Sequence, residues 1–178
     1  MIPDDIVPDD KDWTWVLERP CPECGFDART FEVDTVPVLI RDNAAGWQEV
    51  LTGADPTLTV RTRPDRWSAL EYAAHVRDVF RLYHERLRLM LDTEDPLYAN
   101  WDQDATAIAD RYAEQDPVVV AEELVAAAQD LADAFGAVSG DQWDRTGRRS
   151  DGAAFTVEAF ARYMIHDPVH HLWDVSPQ

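Results

Sequence analysis

The stretch Thr156-Val-Glu-Ala-Phe-Ala-Arg-Tyr-Met-Ile-His166-Asp-Pro-Val-His170-His171-Leu-Trp-Asp174, near the C-terminal end of the 178-residue chain, decides the fold. Val157, Phe160, Tyr163 or Met164, and Val169 repeat at helical spacing, so the segment reads as an amphipathic helix. His166 and His170 are four residues apart and therefore stand one turn apart on one face of it. Two imidazoles so placed can share a divalent metal ion if a third ligand comes from elsewhere, and His75 is the candidate. An isolated pair can equally be two ordinary histidines, so the rest of the chain has to decide. Pro168 lacks a backbone donor and meets the carbonyl of Met164, which predicts a kink between the two.

Working back from this helix, Asp141 to Ala154 reads as a loop containing Gly147-Arg148-Arg149-Ser150-Asp151-Gly152. A third long helix is expected from Asp116 as N-cap, with Pro117 in the first position, to about Val138. Its core face is Val120, Leu124, Ala127, Leu131, Phe135 and Val138. The connection before it, about 93 to 115, is long and carries Trp101-Asp102-Gln103-Asp104 with a short helix around 105 to 113. Connections of that length often line or cover sites. The second helix has the best-marked start: Ser68-Ala-Leu-Glu71 is a capping box, and Trp67 with Tyr72 has the spacing of a hydrophobic staple. It runs to about Leu91 with the stripe Ala73, Val76, Phe80, Tyr83, Leu87 and Met90, and His75 lies at the edge of that stripe. A first helix is expected from Asp34 or Thr35 to about Leu51, stopped by Gly53 and Pro56. With no convincing strand pairs and no internal repeat, the expected fold is all-α: an antiparallel four-helix bundle over residues 34–178 with one long crossover.

Residues 1–33 read as an irregular arm, rich in proline and acidic residues, whose aromatic residues Trp13, Trp15, Phe26 and Phe31 imply packing onto the bundle. Cys21-Pro-Glu-Cys24-Gly25 has the form of a zinc-knuckle turn, but no second Cys-x-x-Cys exists to complete a four-ligand site. A reversible dithiol, two reduced thiols, or a half-site completed by a distant His or Asp remain open. Two cysteines are too few for a secreted disulfide scaffold.

Apolar residues make up 46% and charged residues 29%, the composition of a globular chain long enough to bury a sizeable core. The formal net charge of −19 and sequence pI of about 4.4 disfavour nucleic acid and anionic membranes as partners. No apolar run is long enough to span a bilayer, and the first residues lack the basic and apolar regions of a signal peptide. A cytoplasmic location is therefore expected. A homodimer through an exposed bundle face is compatible with this pattern.

Metal sites in four-helix bundles form from side chains on facing helices. His75, His166 and His170 would place three neutral imidazoles around one ion, a donor set suited to Zn²⁺, Ni²⁺ or Fe²⁺ with positions left for water or substrate. His84, nine residues beyond His75, is too far along its helix to join them. His171 points about a hundred degrees from His170 and reads as an outer partner or a solvated residue. Asp167 and Asp174 could orient an imidazole N–H or be surface acids. Arg148 and Arg149 could meet an anionic substrate or balance local charge.

The pattern Trp67-Ser-x-x-Glu71-x-x-x-His75-x-x-Asp78, followed by His166-x-x-x-His170-His171, resembles the DinB-like superfamily of metal-binding four-helix bundles over roughly residues 34 to 175. The resemblance implies a divalent metal held by His75, His166 and His170, with the Cys-Pro-Glu-Cys arm outside the common core. It also implies thiol chemistry, since the superfamily includes transferases and mycothiol-dependent maleylpyruvate isomerases that use low-molecular-weight thiols. The isomerases have Glu first in the C-terminal pair. Reading His166 in that position matches the transferase-like pattern. The expected function is transfer of a low-molecular-weight thiol to a small electrophile. The alternatives are a hydrolase on the same site and a non-catalytic bundle with a structural metal. A ligand-bound ion would lower the pKa of a thiol or water at its open position.

Overall fold

The computed structural model describes residues 12–63 and 65–176. Helices α1 (Val36–Thr52), α2 (Ala69–Asp92), α4 (Pro117–Gly136) and α5 (Val157–Val175) form the four-helix bundle, and a short α3 (Gln103–Ala109) lies in the crossover. Helix α4 packs along both α1 and α2, while α5 packs against both of these from its own side. The core between them is apolar: Ile40 and Trp47 from α1, Val76, Phe80, Leu87 and Met90 from α2, Leu124, Leu131 and Phe135 from α4, and Phe160 and Met164 from α5 are essentially inaccessible to solvent. Burial of these faces is the main force closing the bundle. No helix is long and apolar enough to cross a membrane among the described residues.

The starts of the helices follow the signals in the sequence. Ser68 Oγ accepts from Glu71 N–H while the Glu71 carboxylate accepts from Ser68 N–H, the reciprocal pair of a capping box. Glu71 is also held by the Arg61 guanidinium, 2.5 Å away. The Trp67 and Tyr72 rings meet at 5.6 Å, so the staple forms too. Asp116 caps α4 through Val118 N–H, and Thr156 caps α5 through Ala159 N–H. Helix α5 remains helical through Pro168. Its carbonyl accepts a bond from Asn43 Nδ2 at 2.9 Å, which ties α5 to α1.

A small sheet departs from the expectation of no strand pairs. Strand β1 (Leu97–Tyr98) in the crossover pairs parallel with β2 (Thr146–Arg149), which pairs antiparallel with β3 (Ala154–Thr156). Strands this short show no alternating apolar pattern, and Thr-Gly-Arg-Arg reads locally as loop. Their role is to fasten the crossover beside the start of α5 and to aim Arg149 inward. Gly147 sits where β2 meets α2. A β-carbon there would lie 2.7 Å from Met90 Cγ and 3.1 Å from Tyr98 Cε1, both in buried residues. Gly147→Ala is expected to cost roughly 1–3 kcal/mol through overpacking, read as a lower denaturant midpoint with an unchanged slope.

The described part of the arm lies on α5. Val16 and Ala28 are fully buried, and Arg162 of α5 donates to the carbonyls of Ala28 and Phe31.

Candidate metal centres

Two groups of ligand-type side chains share helix α5, and the register differs from the expected one by a single residue. His75 does not join His166 and His170. Its Nε2 lies 3.2 Å from Asp167 Oδ1, and ligand atoms of His75, Asp167 and His171 all fall within 4.8 Å of one another. His166 and His170 do come together, their ring centroids 5.1 Å apart, but with Cys21 and Cys24 of the arm. The expected three-histidine site thus divides between two centres. His84 stands half-buried on α2 and belongs to neither.

The reason is helical geometry. Asp167 and His171 continue the core stripe Phe160–Met164 at steps of three and four residues, so they face inward toward α2. His166 and His170 are rotated about a hundred degrees from them and face the arm. On α2, His75, Val79, Leu82 and Arg86 form a similar stripe toward the same interior.

Asp167, His171 and Asp174 line a cavity of about 1320 Å³, together with Tyr72, Arg86, Trp101 and Arg149. His75 stands fully buried behind them. Its ring stacks flat on Trp101, with centroids 5.2 Å apart and planes 4° apart, and Trp67 meets it edge-on at 5.5 Å. The Tyr72 ring stacks on His171 at 4.6 Å. Asp174 Oδ2 lies 3.1 Å from His171 Nδ1, while Arg66 holds the other oxygen of Asp174 at 2.8 Å. With Nδ1–H donating to Asp174, His171 turns the Nε2 lone pair toward Asp167, 3.8 Å away. Desolvation opposes ionisation of Asp167, but the neighbouring imidazoles of His75 and His171 outweigh it and hold the carboxyl below its usual range. His75 Nδ1 is buried without a hydrogen-bond partner among the described residues. Two imidazoles and a carboxylate, with Asp167 and His171 on the cavity wall and His75 behind them, fit a divalent transition metal with positions open toward the cavity.

The second group is built differently. The Cys21 sulfur lies 3.7 Å from His170 Nδ1. Cys21 and Cys24 are free thiols, the first buried and the second half-buried. Burial pushes the Cys24 thiol up to about 11 and the His166 imidazole down to about 4, and it lowers His170 as well.

A sequence model of the DinB superfamily matches residues 37–175, most of the chain. This chain belongs to the DinB superfamily. No curated protein matches it significantly in sequence. Among solved structures it is similar to YfiT from Bacillus subtilis, described as a probable metal-dependent hydrolase with an unusual four-helix bundle topology. The two share 17% identity at a TM-score of 0.71 over 82% of this chain and 88% of that one, a likeness of fold.

Within the superfamily pattern quoted above, most positions build the scaffold. Glu71 closes the capping box, and Asp78 binds the Arg77 guanidinium and accepts from the Tyr112 hydroxyl at 2.6 Å, clamping the crossover onto α2. Trp67 supports the His75 ring. Of the pattern's α2 positions, only His75 reaches a metal-type group. The C-terminal pair that meets it is Asp167–His171, which is acid-first. Asp167 stands there where the resemblance gives the isomerases a Glu, while His166, the residue of the transferase-like pattern, lies in the other group. Trp101 and its neighbours in the crossover line the cavity, as connections of this length often do. Arg149 reaches it too, paired with Asp151, whereas exposed Arg148 pairs with Asp95 instead.

Proposed function

We propose that this protein is a metal-dependent enzyme that brings a low-molecular-weight thiol to a small anionic electrophile at His75, Asp167 and His171. The observation that carries the reading is the convergence of these three groups at a large cavity, Asp167 and His171 on its wall and His75 buried behind them. A divalent ion held there would supply Lewis acidity, lowering the pKa of a thiol or water and polarising an electrophile. Zinc, nickel or iron would each suit the donors.

The remaining groups have definable tasks. Asp174, fixed by Arg66, orients His171. Trp67, Trp101 and Tyr72 keep water from the buried side of the site. Arg86 gives the anionic preference: it is 6% exposed, and its cation donates to the Ala99 carbonyl at 2.7 Å and lies over the Tyr98 ring at 4.8 Å. No carboxylate pairs with it among the described residues, so a buried positive charge faces the cavity ready for a substrate carboxylate. A volume of about 1320 Å³ exceeds that of a typical single-ligand pocket and accommodates a thiol beside its acceptor.

Hydrolysis on the same residues is the second reading, favoured by the description of YfiT. Metal-loaded protein should be offered small thiols with electrophilic acids, and separately activated esters and amides, with His171→Ala beside wild type. Metal-dependent thiol consumption lost in the variant supports the first reading, and thiol-independent turnover lost in the variant supports the second. A His171→Ala protein that keeps its full metal content and turnover sinks both. Arg86→Met should raise KM for acidic substrates about 10–100-fold with little change for neutral ones, as expected for loss of a charge-assisted contact.

A further inference from the structure

We propose that Cys21, Cys24, His166 and His170 form a second, structural zinc site that fastens the N-terminal arm to α5. The spacing Cys-x-x-Cys with His-x-x-x-His is that of structural Cys₂His₂ sites, and all four residues are zinc ligands by chemistry. One ligand atom from each lies within 4.8 Å of the others. Around a tetrahedral zinc ion the donors stand roughly 3.3–3.8 Å apart, given Zn–S near 2.3 Å and Zn–N near 2.0–2.1 Å. Cys21 Sγ and His170 Nδ1, at 3.7 Å, are already at that separation.

The surroundings are those of a ligand cage. Gly25 follows the second cysteine at φ +73°, the left-handed turn that lets the chain double back, and Cys21 N–H donates to the Phe26 carbonyl at 2.8 Å. The Phe26 amide is directed at the Cys24 sulfur. On the far side of His170, Nε2 lies 3.7 Å from Glu23 Oε2 and 3.8 Å from Asp174 Oδ2, so Nδ1 faces the sulfur with carboxylates behind the ring. His166 Nε2 is buried with no hydrogen-bond partner among the described residues. Its ring is packed by Trp13 at 5.3 Å and Phe26 at 5.7 Å. His166 and His170 also border the cavity, but four protein ligands would fill a tetrahedral shell, whereas the three-residue group would leave a position open.

The consequence reaches the neighbouring site. Trp13, Thr14 and Glu23 of the arm line the same cavity, so zinc in this cage would hold one of its walls in place.

The test uses the full chain, purified reduced and loaded with zinc. Wild type is expected to hold two zinc ions; titration with a thiol-specific mercurial should release one of them and leave the other bound. His171→Ala should retain the mercurial-released ion, and Cys21→Ser/Cys24→Ser should lose it while keeping the other. Cobalt substitution should give thiolate charge-transfer and intense tetrahedral bands in wild type and His171→Ala. The proposal is overturned if the mercurial releases no zinc from wild type, or if cobalt in wild type shows no thiolate band. These wild-type readings hold even if the cysteine variant fails to fold. Loss of the cavity-facing ion alone would leave this site intact and count only against the proposed function.

Discussion

Asp174→Ala should weaken metal binding at both centres of α5, by about 10–100-fold at each, because a carboxylate behind a ligating imidazole typically contributes that much. The geometry is specific. Asp174 Oδ2 stands 3.1 Å from His171 Nδ1 and 3.8 Å from His170 Nε2, between two adjacent rings that serve different groups. Its own position is set by Arg66. Removing the carboxylate frees both rings to rotate and lets His171 adopt the tautomer that turns N–H toward Asp167. His170 retains Glu23 as a second carboxylate, so its centre should show the smaller loss. Competition with a chromophoric chelator resolves the two affinities. Unchanged affinity at both would mean that the carboxylate serves only its ion pair with Arg66. Arg66→Ala, acting one step further away, should show the same pattern with smaller effects.

How the chain reads without coordinates can be judged from particular residues. The helices were legible from their apolar stripes, and two of them also from start signals: Ser68 with Glu71, and Asp116 with Pro117. The family was legible from His75 with the C-terminal histidines, and the matched range 37–175 agrees with the span of the resemblance. The pairing of ligands was not. Two i,i+4 couples overlap in His166-Asp-Pro-Val-His170-His171, and histidine content points His75 to the couple that the fold sets apart from it. The signal that separates them is the helical stripe: Asp167 and His171 extend the core face through Phe160 and Met164, where a polar residue needs a partner. The arm's role was hidden for a different reason. Cys21 and His170 are separated by 149 residues, and no local pattern records a contact of that range. The sheet escaped because its three strands are two to four residues long and are held by pairing rather than by an apolar face.

Asp78→Ala should be among the most destabilising single changes, with metal content at native stoichiometry. Asp78 is 14% exposed and neutralises Arg77, itself 6% exposed, through bonds of 2.9 and 3.0 Å. It also accepts the buried Tyr112 hydroxyl, which pins the end of the crossover to α2. Removing it leaves a buried cation and a buried hydroxyl short of partners, a change that commonly costs about 3–5 kcal/mol. Glu123 and Gln115 still contact Arg77, so the low end is expected, about 3 kcal/mol, or roughly 6–12 °C in Tm for a domain of this size. The pH dependence gives an independent check. Burial opposes ionisation of Asp78, but Arg77 and Tyr112 outweigh it and lower the carboxyl in the folded protein. Its stabilisation is therefore complete above the unfolded value of about 3.9 and is lost as pH falls through the lower folded value. The gap between wild type and Asp78→Ala should be full at neutral pH and should shrink only under acid conditions. A gap that is absent at neutral pH would show that the crossover is held by other contacts. A gap accompanied by loss of the cavity-facing metal would move Asp78 from scaffold to site, because His75 lies one helical turn before it on α2.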